Sequence, residues 1–110
     1  MEVYSNIFRL KLYEIDYNSD LTINYDYLFS VLKKRISVLF IPNPNQPIDS
    51  KIARNQLEKI ITVAKSKGTY VVIDEAYFLF GMYSSVSFIK KYSNVFVMRT
   101  FSKGFGMPSI

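Results

Sequence analysis

Apolar positions along the chain change their spacing several times, and each change predicts a new element. Short continuous apolar runs over residues 37–41, 69–73 and 95–98 are typical of strands buried on both faces of a parallel sheet. Between them, apolar residues recur at helical spacing and predict helices over residues 50–68 and 85–92. The order βαβαβ predicts an α/β fold: a three-layer, open, mainly parallel sheet with helices on both faces.

The part of the chain before the first buried run is less regular. Residues 10–17 alternate partly with period 2 and predict a strand. Residues 24–35 carry a helical pattern, and Asn24 is suited to cap that helix. For the following helix, Ser50 is the predicted cap, and Gly68 lies where a left-handed residue ends a helix.

Composition excludes several kinds of chemistry. The 110 residues contain no cysteine and no histidine, which rules out disulfides, Cys/His zinc sites and Ser-His-Asp triads. The formal charge is +5, but the basic residues are dispersed and the densest clusters close predicted helices, so nucleic acid is not the expected partner. Neither a membrane-length apolar run nor a signal-peptide pattern is visible, so we expect a cytoplasmic protein with no membrane partner.

Polar loops follow three predicted strands at their carboxyl ends, where open α/β sheets bind ligands. These loops are residues 43–47, 74–77 and 100–106. Asp74 ends an apolar run, and an ionised carboxylate in such a place needs a cationic partner. Lys103 is flanked by Phe101 and Phe105, and a partly desolvated ammonium loses its proton more readily, as a nucleophilic lysine requires.

Each of these features has a plainer alternative when it is taken singly. Asp74 suits a turn or a cap, Lys103 an exposed position, and the hydroxyls of Thr100 and Ser102 suit bonds to their own loop. The stretch around Lys103 lacks the glycine spacing of a P-loop, and no glycine-rich turn follows the first strand, which argues against a nucleotide-binding fold. The occurrence of all three loops in one chain favours a shared site.

The three loops resemble the motifs of fold-type-I enzymes that use pyridoxal 5'-phosphate (PLP). The likeness is to the class I/II aminotransferases, most closely the histidinol-phosphate aminotransferase-like branch, with its N-P-N-N-P-T-G, V-I-D-E-A-Y and R-T-x-S-K-x-F-G stretches. The chain has N-P-N-Q-P-I-D at 43–49, V-I-D-E-A-Y at 72–77 and R-T-F-S-K-G-F-G at 99–106. The likeness covers nearly the whole chain in a consistent order.

The resemblance implies a catalytic role for three matching residues. Lys103 would form the Schiff base with the cofactor and then carry protons as acid and base. Asp74 would pair with the pyridine nitrogen and keep it protonated, so that the ring acts as an electron sink. Tyr77 would hydrogen-bond the 3-oxygen of the ring.

Three further residues would bind the cofactor by the same resemblance. Thr100 and Ser102 would contact the phosphate group. Gln46 stands where the family has the asparagine that bonds the ring oxygen, so it offers the same amide one methylene further from the backbone. Ile48 and Asp49 also replace the Thr-Gly pair of the family motif, which suggests a divergent substrate or weaker cofactor binding.

The resemblance also implies an incomplete enzyme. Residues 1–110 would be a partial PLP-binding large domain, with the N-terminal segment and the small C-terminal domain absent and the phosphate-binding arginine expected just beyond Ile110. The parent would be a homo-oligomer that uses an amino donor and a 2-oxo acid, and the chain alone would be inactive. Alternatives are a PLP-dependent decarboxylase of the same fold, or a non-catalytic truncated α/β module.

Overall fold

A three-stranded parallel sheet forms the centre of the molecule. The computed structural model describes residues 2–45, 48, 50–80 and 83–107. The strands are β1 (Val38–Pro42), β2 (Tyr70–Asp74) and β3 (Val95–Met98), in the spatial order β1-β2-β3. The helices in this part of the chain are α1 (Glu2–Ile7), α2 (Tyr25–Leu32), α3 (Arg54–Ser66), α4 (Val86–Ile89) and α5 (Phe101–Gly104). The predicted α/β class with a parallel sheet is confirmed.

The register of the sheet brings the ends of its strands to one edge. Pro42 at the end of β1 lies opposite Asp74 at the end of β2, and Asp74 lies opposite Met98 at the end of β3. Parallel neighbours need a crossover connection, which α3 and α4 provide. Because crossovers are right-handed and the strands follow one another in sequence order, both helices lie over the same face.

The buried core lies between this helical layer and one face of the sheet. Val71 and Ile73, alternate residues of β2, are fully buried, because successive side chains of a strand point to opposite faces. Burying a side chain of this size contributes about 1.5–3 kcal/mol relative to its exposure. Across the sheet, the opposite face leaves these side chains about half exposed: Val38 52%, Tyr70 53%, Phe96 53% and Met98 48%.

Two helix ends follow the predicted local chemistry. The side-chain oxygen of Asn24 accepts a hydrogen bond of 3.0 Å from the backbone N–H of Tyr27, which confirms the cap of α2. Gly68 directly follows Lys67, the C-cap residue of α3, and has a φ of +70°. That left-handed conformation suits glycine because it has no Cβ, so the predicted helix end is also confirmed.

Two predictions for the N-terminal half are wrong. Residues 10–17 do not form a strand, and an isolated bridge between Tyr17 and Ile23 is all the pairing found there in the described part of the chain. A strand is stable only when its backbone groups have ladder partners, and an alternating pattern cannot supply one. Ser50 does not cap α3, whose cap is Ala53; the Ser50 hydroxyl instead contacts the Tyr17 hydroxyl at 3.0 Å.

The remaining differences concern short helices. The helix predicted over residues 85–92 is shorter, at Val86–Ile89, and α1 and α5 have no counterpart in the predicted elements. A single helical turn buries too few side chains to leave a periodic pattern. None of the described helices is long and apolar enough to cross a bilayer.

Candidate active site

Backbone hydrogen bonds tie together the loops that follow the three strands. The N–H of Asn43, just after β1, donates to the carbonyl of Asp74 at 2.9 Å. The N–H of Glu75, just after β2, donates to the carbonyl of Met98 at 2.8 Å. The three loops predicted from separate parts of the sequence therefore lie side by side along one edge of the sheet.

Asp74 is half-buried at the centre of this edge. Its Oδ1 accepts a hydrogen bond of 2.9 Å from the N–H of Ala76. This bond is the turn-forming contact of the plainer alternative. An ionised carboxylate has about four acceptor positions on its two oxygens, so one local bond leaves capacity for a ligand.

Lys103 lies against a tyrosine ring and not between the two phenylalanines. Its Nζ is 5.7 Å from the centroid of the Tyr77 ring. The rings of Phe101 and Phe105 pack on each other at 5.7 Å and are 59% and 55% exposed. The predicted desolvation of Lys103 by these rings is therefore wrong for this chain, where the lysine is exposed. Side chains four residues apart meet on one helix face, and a residue midway between them points elsewhere.

Thr100 and Ser102 place two hydroxyls together at the start of α5. The Oγ1 of Thr100 accepts a hydrogen bond of 3.1 Å from the N–H of Ser102 and donates one of 3.0 Å to the Ser102 Oγ. Thr100 is thereby the cap of α5, as the plainer alternative anticipates. Gln46, the remaining candidate residue, lies outside the described residues, and the roles of all six candidates stay predictions.

An ion pair between the buried Glu75 and the partly exposed Arg99, beside the candidate residues, was missed by the sequence reasoning. Glu75 is 1% exposed, and its Oε2 accepts hydrogen bonds from Arg99 Nε at 3.1 Å and Arg99 Nη2 at 3.0 Å. The carboxylate also accepts from the Ser84 hydroxyl at 3.2 Å and from the N–H of Ser85. Glu75 follows Asp74 in sequence, so a second carboxylate at a strand end was the signal that a cation must lie nearby.

Two tyrosines hold the loop after β1 in place. The Tyr83 hydroxyl donates to the carbonyl of Ile52 at 2.9 Å, and burial raises the pKa of the Tyr83 phenol. On the other side, the Asn45 amide donates to the Tyr17 hydroxyl, which also contacts Ser50 Oγ at 3.0 Å. The described part of this loop is thus fastened to its surroundings at both ends.

Known proteins match this arrangement over the whole chain. The family profile described as "Aminotransferase class I and II" matches residues 1–110. The chain belongs to the class I and II aminotransferase family. Within that family it is similar to the histidinol-phosphate aminotransferase of Thermotoga maritima, with 46% identity over 72 residues, which is 66% of this chain and 20% of that protein.

Further members of the aminotransferase family extend the likeness. The histidinol-phosphate aminotransferase of Buchnera aphidicola subsp. Cinara cedri is 37% identical over 98% of this chain and 30% of its own length. The crystal structure of the histidinol-phosphate aminotransferase from Clostridium acetobutylicum superposes with a TM-score of 0.89 at 27% identity, covering 99% of this chain and 33% of that one. The chain thus spans between a fifth and a third of the length of these relatives.

Proposed function

We propose that the chain is the cofactor-binding segment of a PLP-dependent aminotransferase. The parent enzyme transfers an amino group between an amino acid or amino-phosphate compound and a 2-oxo acid. The observation that carries the proposal is the convergence of Asp74, Tyr77 and Lys103 beyond adjacent parallel strands, with the lysine amine 5.7 Å from the tyrosine ring. Family membership and the match to histidinol-phosphate aminotransferases support it.

The donor set fits PLP group by group. A half-buried carboxylate suits the pyridine nitrogen, a primary amine suits the aldehyde, and two adjacent hydroxyls suit a phosphate. The nitrogen and the aldehyde carbon lie on opposite sides of the pyridine ring, so their partners must come from different strand ends. Asp74 at the end of β2 and Lys103 beyond β3 meet that requirement.

PLP, when bound, supplies an electron sink that stabilises negative charge at the substrate carbon next to the amine. Asp74 holds a proton on the ring nitrogen through a charge-assisted hydrogen bond, which preserves the electron demand of the ring. Lys103 binds the cofactor at its aldehyde and then moves a proton at the substrate carbon as acid and base. Tyr77 would donate a hydrogen bond to the ring 3-oxygen.

The remaining residues orient the cofactor from its other sides. Thr100 and Ser102 would donate their hydroxyls to the phosphate, because a hydroxyl hydrogen rotates toward a better acceptor. Thr100 would give up its present hydrogen bond to Ser102 Oγ. Gln46, which lies outside the described residues, would contact the ring oxygen through its amide if the resemblance holds at this position. Residues 1–110 act as part of a large domain, and we include in the proposal a homo-oligomeric, cytoplasmic parent enzyme.

A second candidate is a non-catalytic α/β module that descends from the same family. Two observations favour it: Lys103 is exposed, and the Thr100 hydroxyl already donates to the Ser102 hydroxyl. This module would keep the covered core and lose affinity for PLP.

A borohydride experiment separates the two candidates. The purified chain is mixed with PLP, the visible absorbance of amine-bound cofactor is followed, and the adduct is reduced and located by peptide mass spectrometry. We expect the label at Lys103 and its loss in Lys103→Ala, with Lys67→Ala as the control that keeps it. Label spread evenly over the exposed lysines of a well-folded chain would favour the non-catalytic module.

A further inference from the structure

The side chain of Glu75 joins three separate segments of the chain. It extends from the end of β2, contacts the segment of Ser84 and Ser85 before α4, and contacts Arg99 just after β3. The backbone N–H of Glu75 adds a bond to the carbonyl of Met98 at 2.8 Å. A single carboxylate, 1% exposed, therefore fixes the exits of two neighbouring strands relative to each other.

The Arg99 guanidinium binds this carboxylate in a fixed geometry. Its Nε and Nη2 approach the same Glu75 oxygen at 3.1 and 3.0 Å, and Nη2 donates to the Ser84 hydroxyl at 2.6 Å. The ring of Phe78 lies against the guanidinium, with 3.8 Å between the ring centroid and Cζ. The Arg99 guanidinium has little freedom to rotate, because two of its nitrogens donate hydrogen bonds and one of its faces lies against a ring. A lysine ammonium in its place would rotate more freely.

The position of this ion pair connects it with the candidate cofactor residues. Asp74 precedes Glu75 in the chain, and Tyr77 follows it in the same turn. Arg99 precedes Thr100, the cap of the helix that carries Lys103. Lys103 in turn contacts the turn after β2 through its Nζ, which lies 5.7 Å from the centroid of the Tyr77 ring.

The separation between Asp74 and Lys103 matters for the proposed chemistry. Two partners that hold opposite sides of one rigid ring must keep a fixed separation, and a shift of 1 Å can reduce a rate by about a hundredfold. The ion pair contributes little net stability by comparison, because burying the Glu75 carboxylate costs nearly as much as its attraction to the partly exposed Arg99 returns. Stability alone is therefore a weak reason for a buried glutamate at this place.

We infer that Glu75 and Arg99 are positioning residues that set the separation between Asp74–Tyr77 and Lys103. This inference rests on the proposed function for its purpose, but its geometric content applies without a cofactor. The pair fixes the carboxyl ends of β2 and β3 relative to each other, and with them the segments that carry Asp74, Tyr77 and Lys103.

The cofactor-free test uses the absence of native cysteine, which makes introduced thiols unique. In the double variant Tyr77→Cys/Lys103→Cys, a short bismaleimide bridges the two introduced thiols. The bridging rate is measured by mass spectrometry well below the unfolding temperature. We expect Arg99→Lys and Glu75→Gln each to lower the rate by about tenfold, since a loosened exit samples many separations. Lys91→Gln, which breaks the exposed ion pair with Glu58, is the matched control and should leave the rate unchanged.

A merely structural role predicts a different result. Arg99→Lys would then lower the unfolding temperature while the folded protein is bridged at the original rate, and that outcome overturns the inference. The two conservative variants guard against loss of folding, because each keeps the approximate size of the original side chain, and Arg99→Lys also keeps its positive charge.

A second arm separates this inference from the proposed function. The unmodified chain and Arg99→Lys are titrated with PLP, and the reduced label at Lys103 is quantified. Unchanged labelling of the variant contradicts the positioning role even if the bridging rate falls. If the unmodified chain gives no label at Lys103, the proposed function fails for this chain, and the bridging rates alone decide whether the pair positions the strand exits.

Discussion

The covered face of the sheet and its carboxyl edge are built by different forces. On the covered face, the α3 residues Leu57, Ile60 and Ile61 are fully buried against β2, and their contacts are apolar and non-directional. At the carboxyl edge, the side chains are polar or half-exposed, and hydrogen bonds with defined partners hold the loops. Folding free energy therefore comes mainly from the first region, and the candidate cofactor residues lie in the second.

Mutations on the covered face and at the carboxyl edge should therefore have different effects. A change on the covered face should alter the free energy of unfolding and leave Lys103 labelling intact in the folded protein. A change at the edge should alter Lys103 labelling and leave the free energy of unfolding nearly unchanged, unless it affects a buried charge. Glu75 belongs to both regions, because it is as buried as the core and as polar as the edge.

The largest expected effect lies on the covered face. Ile61→Ala removes a fully buried side chain and leaves a cavity, so the free energy of unfolding should fall by about 2–5 kcal/mol in urea titrations. Ile89→Ala is the control, because Ile89 is 47% exposed and its truncation should cost much less. Similar losses for both variants would contradict the assignment of the core.

A smaller effect is expected where the two regions meet. Arg99→Gln leaves the buried Glu75 carboxylate without its cation, and the free energy of unfolding should fall by about 1–3 kcal/mol. Lys91→Gln breaks an exposed ion pair with Glu58 and should cost about 0–1 kcal/mol. If urea titrations give the same loss for both variants, Glu75 is solvated, and it does not link the two regions.

A helix cap outside both regions should have a still smaller effect. Asn24→Ala removes the acceptor for the N–H of Tyr27 and should lower the free energy of unfolding by about 1 kcal/mol. Asn24→Asp keeps an acceptor and should restore most of this loss. Labelling of Lys103 should stay the same in both variants, and any change there would mean that the N-terminal half influences the edge.

The smallest effect concerns acid stability on the helical side. Hydrogen bonds from Lys91 and Tyr92 hold the pKa of Glu58 below its ordinary value of 4.5. Because the folded pKa is the lower one, this contribution is complete above the ordinary value and is lost as the pH falls through the folded value. Glu58→Gln should therefore flatten the fall of the free energy of unfolding in that acid range, measured by urea titration at several pH values. An unchanged slope would show that the carboxylate makes no such bonds in solution.

The sheet could be predicted from the sequence because its signals are local. A continuous apolar run can be recognised without knowing which distant residues it contacts. The strand β3 was accordingly predicted with the bounds that the structure has, Val95–Met98. Asn24 and Gly68 act on the backbone of their own helices, so their roles were also predictable. Residues 10–17 show the limit, because strand formation depends on a partner that the pattern does not specify.

At the candidate site, the positions were predictable but the environments were not. The strand ends place Asp74, Tyr77 and Lys103 at one edge, as expected from parallel topology. The exposure of Lys103 depends on which way α5 turns its side chains, and the Glu75–Arg99 pair depends on contacts between residues far apart in sequence. Such tertiary contacts leave no period and no motif of their own.

The state of the pyridine nitrogen tests the central claim most directly. PLP labelled with ¹⁵N at the ring is added to the chain, and the nitrogen chemical shift is measured at neutral pH in the unmodified chain, in Asp74→Asn and in the control Asp16→Asn. The account predicts a protonated nitrogen in the unmodified chain and the control, and loss of that proton in Asp74→Asn. The same shift in all three proteins would contradict the pairing of Asp74 with a ring held by Lys103.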